Sequence, residues 1–358
     1  MRAKYLQLFV FAGLLVVIQL ITMFTGSVYH LTQLTMTAYY SLLIIGLCML
    51  IGYAGQISLG HAGFFAIGGY ISAFLTTYDL TPHQEKVIIS LIKKTGILVS
   101  RPDLYGGSLI NLHPWAACMI AILTTIAIAY IIGGPVLKLK GHYLAMATLG
   151  FGIIVYRIVI GTELLGAADG ISGVPGFSLL PGVVISGSSA FRVKNYYTSW
   201  GLVIAAMALL INLIHSRIGR ALSSIHGAED AADAMGIPTA EYKLKTFVLS
   251  AALASLAGVL LTHYNGGIGP SEASVMKSVR YVAIVAIGGM ANLWGALFMS
   301  LLLNYLSLRG YFGTFDDAVF GAILIIIMLF APDGLLRKKT ISDIKRLFAR
   351  NTAEKEML

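Results

Sequence analysis

The amino-acid sequence predicts an all-α polytopic membrane protein with about ten transmembrane helices, and three observations carry that expectation. Hydrophobic residues make up 57% of the 358-residue chain and charged residues only 11%, against about 25% charged in an ordinary soluble domain. Apolar runs long enough to cross roughly 30 Å of hydrocarbon recur along its length. The basic residues behind the net charge of +9 are scattered between those runs rather than gathered in a patch. That pattern fits a positive-inside bias and offers no nucleic-acid surface.

Taken in order, the first element is MRAKYLQLFVFAGLLVVIQLITMFTGS. It starts like a signal peptide, but about twenty apolar residues exceed the usual signal core, and no A-x-A-like cleavage site follows. It is read as an uncleaved first span, 5–24. Further runs cover 36–52, 57–77, 116–137, 142–161, 198–215 and 246–264. The run 281–308 is long for one span and is interrupted by Gly288, Gly289, Asn292 and Gly295. The last run is 318–331. The tail RKKTISDIKRLFARNTAEKEML and the start with Arg2 and Lys4 are both basic, so both termini are expected in the cytoplasm. An even number of crossings then requires 281–308 to be a short, glycine-broken helical hairpin.

This topology divides the chain into a transmembrane permease domain, 1–332, and a basic cytoplasmic tail, 333–358. Two outer loops are long, 78–115 and 162–197, and the second is rich in Gly and Pro turn signals. The one sizeable cytoplasmic connection is 216–245. In the tail, Ile341, Ile344, Leu347 and Phe348 fall on one face of a basic helix. It is read either as an interfacial helix on membrane lipid or an ATPase, or as a plain positive-inside tail. Cys48 and Cys118 sit in apolar runs without metal-type spacing and are read as small core hydrophobes, with no metal site.

Residues 52–70, GYAGQISLGHAGFFAIGGY, are unusual in giving up side chains while keeping polar groups. On a helix over 55–73, Ser58, Ala62, Ala66, Gly69 and Ala73 form one narrow stripe, which reads as a close-packed membrane helix face. Gln56, Ser58 and His61 have two readings. They satisfy backbone groups freed by the break at Gly52–Gly55, or they line the translocation path or a gate. Arg157 is the one charge expected well inside a span. It attracts a substrate carboxylate, or it snorkels and pairs with Glu163. Asp169 and His142 read as loop and interface residues. No catalytic constellation is present.

In the loop 217–245, Glu229 and Asp230 are read as the first turn of a short helix, where negative charge suits the macrodipole, and Gly236 and Pro238 end it. The spacing carried by Glu229, Asp230, Ala231, Ala232 and Gly236, shortly after Gly219 and Arg220, resembles the coupling loop of ABC importer permeases. Small residues let such a helix enter a groove on a separate ATPase subunit, and its end charges can pair across that interface.

Other stretches narrow the resemblance: GYAGQISLGHAGFFAIGGY, LKGHYLAMATLGFGIIV at 139–155, DGISGVPG at 169–176, IGGMANLWGA at 287–296 and APDGLL at 331–336. In this order and spacing they are similar to the branched-chain amino acid ABC importer permeases of LivM type. The chain departs from that pattern at Met290, Ala291, Asn292 and Ala296, and at Leu164–Ala168. The resemblance implies one half of a pore in the bacterial inner membrane, importing branched-chain amino acids by alternating access. It also implies a second permease subunit of LivH type, two ATPase subunits and an extracytoplasmic solute-binding protein. No G-x-x-x-x-G-K-[ST] loop occurs, so ATP and Mg belong to the ATPase partners and no cofactor to this chain. The same fold carrying urea or a short amide is the near alternative. A stand-alone ion-coupled secondary transporter is the distant one, and the poverty of acidic residues in the spans speaks against it.

Overall fold

The computed structural model describes residues 2–81, 98–102, 108–139 and 141–330. The tail 333–358, the APDGLL stretch and residues 82–97 and 103–107 of the first outer loop lie outside them. The described helices, in order, are α1 (Arg2–Phe24), α2 (His30–Ala54), α3 (His61–Thr77), α4 (Pro114–Val136), α5 (His142–Gly161) and α6 (Arg192–Ile214). They continue with α7 (Arg217–Gly227), α8 (Glu229–Ala234), α9 (Thr239–Asn265), α10 (Val275–Gly288), α11 (Leu293–Leu308) and α12 (Asp316–Phe330). Six of them, α1, α2, α4, α5, α6 and α9, are long and apolar enough to cross a membrane. Shorter apolar helices complete the bundle: α3 with 17 residues, α10 with 14, α11 with 16 and α12 with 15.

A helix that is apolar all round belongs in the interior, and α2 is that helix, with 94% of its apolar window buried. By contrast only 22% of the corresponding window of α1 is buried. Helix α1 lies on the flank of α6, where the Tyr5 hydroxyl donates to Asn212 Oδ1 and the Tyr196 hydroxyl to the Leu15 carbonyl. Helix α3 crosses α9 backbone to backbone. A Cβ on Gly258 would lie 2.0 Å from the Phe65 carbonyl oxygen, and one on Gly68 would lie 2.4 Å from that of Ser255. The expected packing role of the glycines is therefore met at a specific crossing. Hydroxyls add to it, with Thr125 Oγ1 donating to Ser255 Oγ at 3.0 Å and Ser41 bonded to Ser300 at 2.8 Å.

The run 281–308 does break, and its arms pack antiparallel: Gly288 meets Gly295 and Ala296, while the Arg280 guanidinium donates to Ser307 Oγ at 3.2 Å. Asn292 caps the second arm by accepting from the Gly295 amide at 3.1 Å. The hairpin tip rests on the end of α2, where a Cβ on Gly52 would fall 1.4 Å from the Met290 carbonyl oxygen. Tyr53 donates to the Ala291 carbonyl at 2.9 Å beside it. Helix α7 closes the same end, its His226 packing on the left-handed Gly55 that terminates α2.

At the opposite end the loops are not wholly irregular. Strands β1 (Leu98–Pro102) and β2 (Ser108–Leu112) pair, as do β4 (Phe177–Leu180) and β5 (Val183–Ile185). The two-residue strands β3 (Ile171–Ser172) and β6 (Gly267–Ile268) join two separate loops. The all-α expectation is corrected here: these loops use short ladders to satisfy backbone groups that no helix serves. His263 Nδ1 meets the Pro175 carbonyl at 2.7 Å, and Asn111 donates to the Tyr78 carbonyl. Two hydrogen bonds from Thr81 hold the exposed Asp79 carboxyl below its ordinary pKa.

Several helices overrun their apolar stretches. Helix α2 begins at His30, α6 at Arg192, α9 at Thr239 and α10 at Val275, each six or seven residues before the corresponding predicted span. Hydropathy marks the depth of hydrocarbon, whereas backbone hydrogen bonding continues past it. Consequently Arg157 is not the only charge within a spanning helix: Arg192, Lys194, Lys243, Lys245, Lys277 and Arg280 also lie on these helices.

Candidate functional site

The helix expected over 55–73 starts only at His61, so Gln56 and Ser58 belong to a non-helical break, 55–60. The break begins at the end of α2 with Gly55 and runs into the bundle as far as His61. His61 Nε2 is bonded to Ser250 Oγ at 2.6 Å, and the Ser250 carbonyl lies against Gly46 of α2. Gly46 is about 12 Å from the end of α2 at 1.5 Å per residue. Irregular backbone at such depth needs internal partners, and it has them. Thr148 of α5 accepts from the Leu59 amide at 3.0 Å and Ser278 of α10 from the Ala62 amide at 3.3 Å. Ser58 Oγ accepts from the Gly60 amide and meets His61 Nδ1 at 3.1 Å. His61 is thus bonded through both ring nitrogens, with Phe64 and Phe247 edge-on around it. Gln56 differs: it is buried, and neither side-chain polar atom has a hydrogen-bond partner among the described residues.

The loop helix α8 covers Glu229–Ala234 and stops where Gly236 turns left-handed. It projects from the end formed by the hairpin tip and α7, whose Gly219, Leu222 and Ile225 face inward. Ser216 caps α7 by accepting from the Ile218 amide, leaving Arg220 on its exposed side. Ala232 is the buried side of α8, whereas Ala231, Asp233 and Ala234 are exposed and Met235 is 83% exposed. Glu229 does not point outward alone. It forms an ion pair with Lys243, which is buried in the first turns of α9. The Glu229 carboxylate is therefore committed within the chain, pinning α8 to a central helix. Asp230 is exposed beside it.

Arg157 is exposed on the flank of α5 beside Ile153, Ile154 and Ile158. No ion pair joins it to Glu163, and it does not meet Gln56, Ser58 or His61. The strongest polar cluster within the bundle was not anticipated from sequence. Glu272, in a 3-10 turn over Pro270–Ala273, accepts from Lys277 Nζ at 3.1 Å and from the Tyr40 hydroxyl at 3.0 Å. Lys277 also lies 4.8 Å over the Tyr40 ring. The stretch GPSEASVMKSVR carried one available signal, an acid and two bases grouped just before an apolar run in a chain with only 16 acidic residues.

The family model described as the branched-chain amino acid transport system permease component matches residues 29–330. The chain belongs to that permease family. The permease is 30% identical to the high-affinity branched-chain amino acid transport system permease protein LivM of Salmonella typhimurium, over 84% of this chain and 68% of that relative. It is also 28% identical to LivH of the same organism, over 87% and 95%. Its identity to BraD of Pseudomonas aeruginosa is 26%, over 89% and 99%. No solved structure matches. The relatives are permease proteins of LivM and LivH type, so the permease is a multi-pass transporter subunit rather than an enzyme.

Proposed function

We propose that this chain is the LivM-type permease subunit of an ATP-driven importer that moves leucine, isoleucine and valine across the bacterial inner membrane. The observation that supports the reading is the family match along 302 residues together with α8 presenting an exposed face at one end of the bundle. The chain makes ten crossings, counting α10 and α11 as two, and both termini lie in the cytoplasm with α8. A LivH-type subunit forms the other half of the pore. Two ATPase subunits bind and hydrolyse ATP with Mg, and a solute-binding protein docks on the loops at the opposite end.

In this mechanism the exposed small face of α8 and Met235 enter a groove on an ATPase. Arg220 and Asp230 sit at the rim, where charges set register more than affinity. Closure of the ATPases displaces α8, and the Glu229–Lys243 ion pair passes the displacement to α9. Helix α9 carries the α3 crossing and the His61–Ser250 bond, so its movement shifts the 55–60 break. Gln56 is the break residue assigned to the path, while Ser58 and His61 hold the shape of the break.

The test is uptake and ATP hydrolysis by the assembled transporter in proteoliposomes. Reversing both charges, Glu229→Lys with Asp230→Lys, should lower leucine uptake at least tenfold while ATP hydrolysis and membrane assembly persist. Uptake at the unaltered rate would contradict the coupling role of α8.

A further inference from the structure

The Glu272–Lys277 cluster has features that a structural ion pair does not require. It lies deep: Tyr40 is about 15 Å from one end of α2 and about 21 Å from the other, at 1.5 Å per residue. Four elements converge there. Helix α2 brings Tyr40, α3 brings Tyr70, α10 brings Lys277 and Tyr281, and the 3-10 turn before α10 brings Glu272. An interruption of α-helix at membrane depth is tolerated where it is buried in protein or lines a water-filled cavity. Charges at that depth likewise face the bundle interior or such a cavity.

The pair is not sealed, because the Lys277 and Glu272 side chains remain 23% and 18% exposed. Nor are its surroundings saturated. Tyr70 and Tyr281 are both buried within electrostatic reach of the Glu272 carboxylate, yet neither hydroxyl has a hydrogen-bond partner among the described residues. A buried hydroxyl without a partner is costly, and two of them beside one ion pair form a set of unused donors. Neighbouring Arg280 is paired separately with Asp317 at 2.9 Å and Asp316 at 3.4 Å, so Glu272 and Lys277 are left as a pair of no net charge. Phe65 stacks on the Tyr40 ring at 5.8 Å, supplying an apolar wall.

We propose that Glu272, Lys277, Tyr70 and Tyr281 form a transient binding subsite for the backbone of a zwitterionic α-amino acid during its passage. The ammonium and carboxylate of such a molecule sit on one carbon, so they can face Glu272 and Lys277 together once the pair opens by about one hydrogen-bond length, ~3 Å. One ion pair then becomes two and the net charge of the site is unchanged. Tyr70 and Tyr281 donate to the incoming carboxylate, and the aliphatic side chain packs on the Tyr40 and Phe65 rings. An amino acid with a charged side chain leaves one charge unmatched inside the bundle, which is strongly unfavourable. The subsite therefore selects by charge state, not by the shape of the side chain.

This inference rests on the importer reading above, and its test separates the two. Radiolabelled leucine uptake is measured in proteoliposomes holding the whole transporter, with KM, maximal rate, binding-protein-stimulated ATP hydrolysis and thermal midpoint recorded for each variant. Tyr70→Phe and Tyr281→Phe each remove one oxygen that bonds to nothing in the chain. They should raise KM three- to tenfold without lowering the thermal midpoint. Glu272→Gln combined with Lys277→Gln should cut uptake at least thirtyfold and leave stimulated ATP hydrolysis intact. The two tyrosine variants decide the matter even where the charge variant fails to assemble. Unchanged KM in both, with normal uptake by the unaltered transporter, overturns the subsite alone. Absence of leucine, isoleucine and valine uptake by the unaltered transporter overturns both readings.

Discussion

The 55–60 break and the Glu272–Lys277 cluster both place polar groups among apolar helices near mid-membrane, one or two helical turns apart, and they treat those groups in opposite ways. Around His61, hydroxyls from α5, α9 and α10 meet the amides and the imidazole, so that His61, Ser58 and Thr148 are all bonded within the chain, and Gln56 alone of the polar side chains of the break stands outside this closed set. At the cluster, Tyr70 and Tyr281 are buried and their hydroxyls have no hydrogen-bond partner among the described residues, beside an ion pair left partly open. The regions even touch, since Ser278, which follows Lys277, accepts from the Ala62 amide, which follows His61. The contrast teaches that polarity at depth does not by itself mark a site. A closed hydrogen-bond set holds a shape, and an incomplete one has room for a ligand.

Four substitutions probe this contrast and the scaffold around it, in falling order of effect. Gly258→Val drives a branched side chain into the Phe65 carbonyl at the α3–α9 crossing. It should cost about 3 kcal/mol or more, read as loss of monodisperse protein after solubilisation. Next, Lys243→Met strands Glu229. Because the Glu229 side chain is 31% exposed, the penalty is reduced to about 1–3 kcal/mol. Leucine moved per ATP hydrolysed should still fall about tenfold, because α8 loses its hold on α9. Thr148→Val removes the acceptor for the Leu59 amide. The thermal midpoint should drop by an amount corresponding to about 1–2 kcal/mol, with KM for leucine unchanged. Last, Arg157→Gln on the exposed flank of α5 should stay within about 0.5 kcal/mol and leave uptake intact. A large loss there would return Arg157 to the transport path.

Much of this architecture was legible beforehand. The apolar runs located the spans, the glycine-broken run did form an antiparallel hairpin, and the acidic loop helix appeared at Glu229–Ala234. Helix ends were less legible, because the first turns of α9 and α10 carry polar residues such as Lys243 and Lys277 whose side chains are buried or paired inside the protein. Lys243 shows the consequence. In sequence it reads as a loop lysine, whereas in the fold it is a buried partner for Glu229. His61 drew attention as a lone polar residue on an apolar stretch, but periodicity could not reveal that Ser250, 189 residues away, completes it. The Glu272 cluster was missed for a related reason. Its members come from three separate stretches, around Tyr40, Tyr70 and 272–281, and only the fold carries Lys277 on α10 to the level of Tyr40.

A paired measurement on two single-oxygen deletions tests whether closed and incomplete hydrogen-bond sets differ in role. Ser250→Ala takes an oxygen from the closed set around His61, and Tyr281→Phe takes one from the incomplete set around Glu272. Thermal midpoint and leucine KM are measured for both in the assembled transporter. The expected result is a crossed pattern, with Ser250→Ala lowering the midpoint at constant KM and Tyr281→Phe raising KM at constant midpoint. If Tyr281→Phe lowers the midpoint and leaves KM where it was, the cluster is structural like the break, and the distinction drawn between them is wrong.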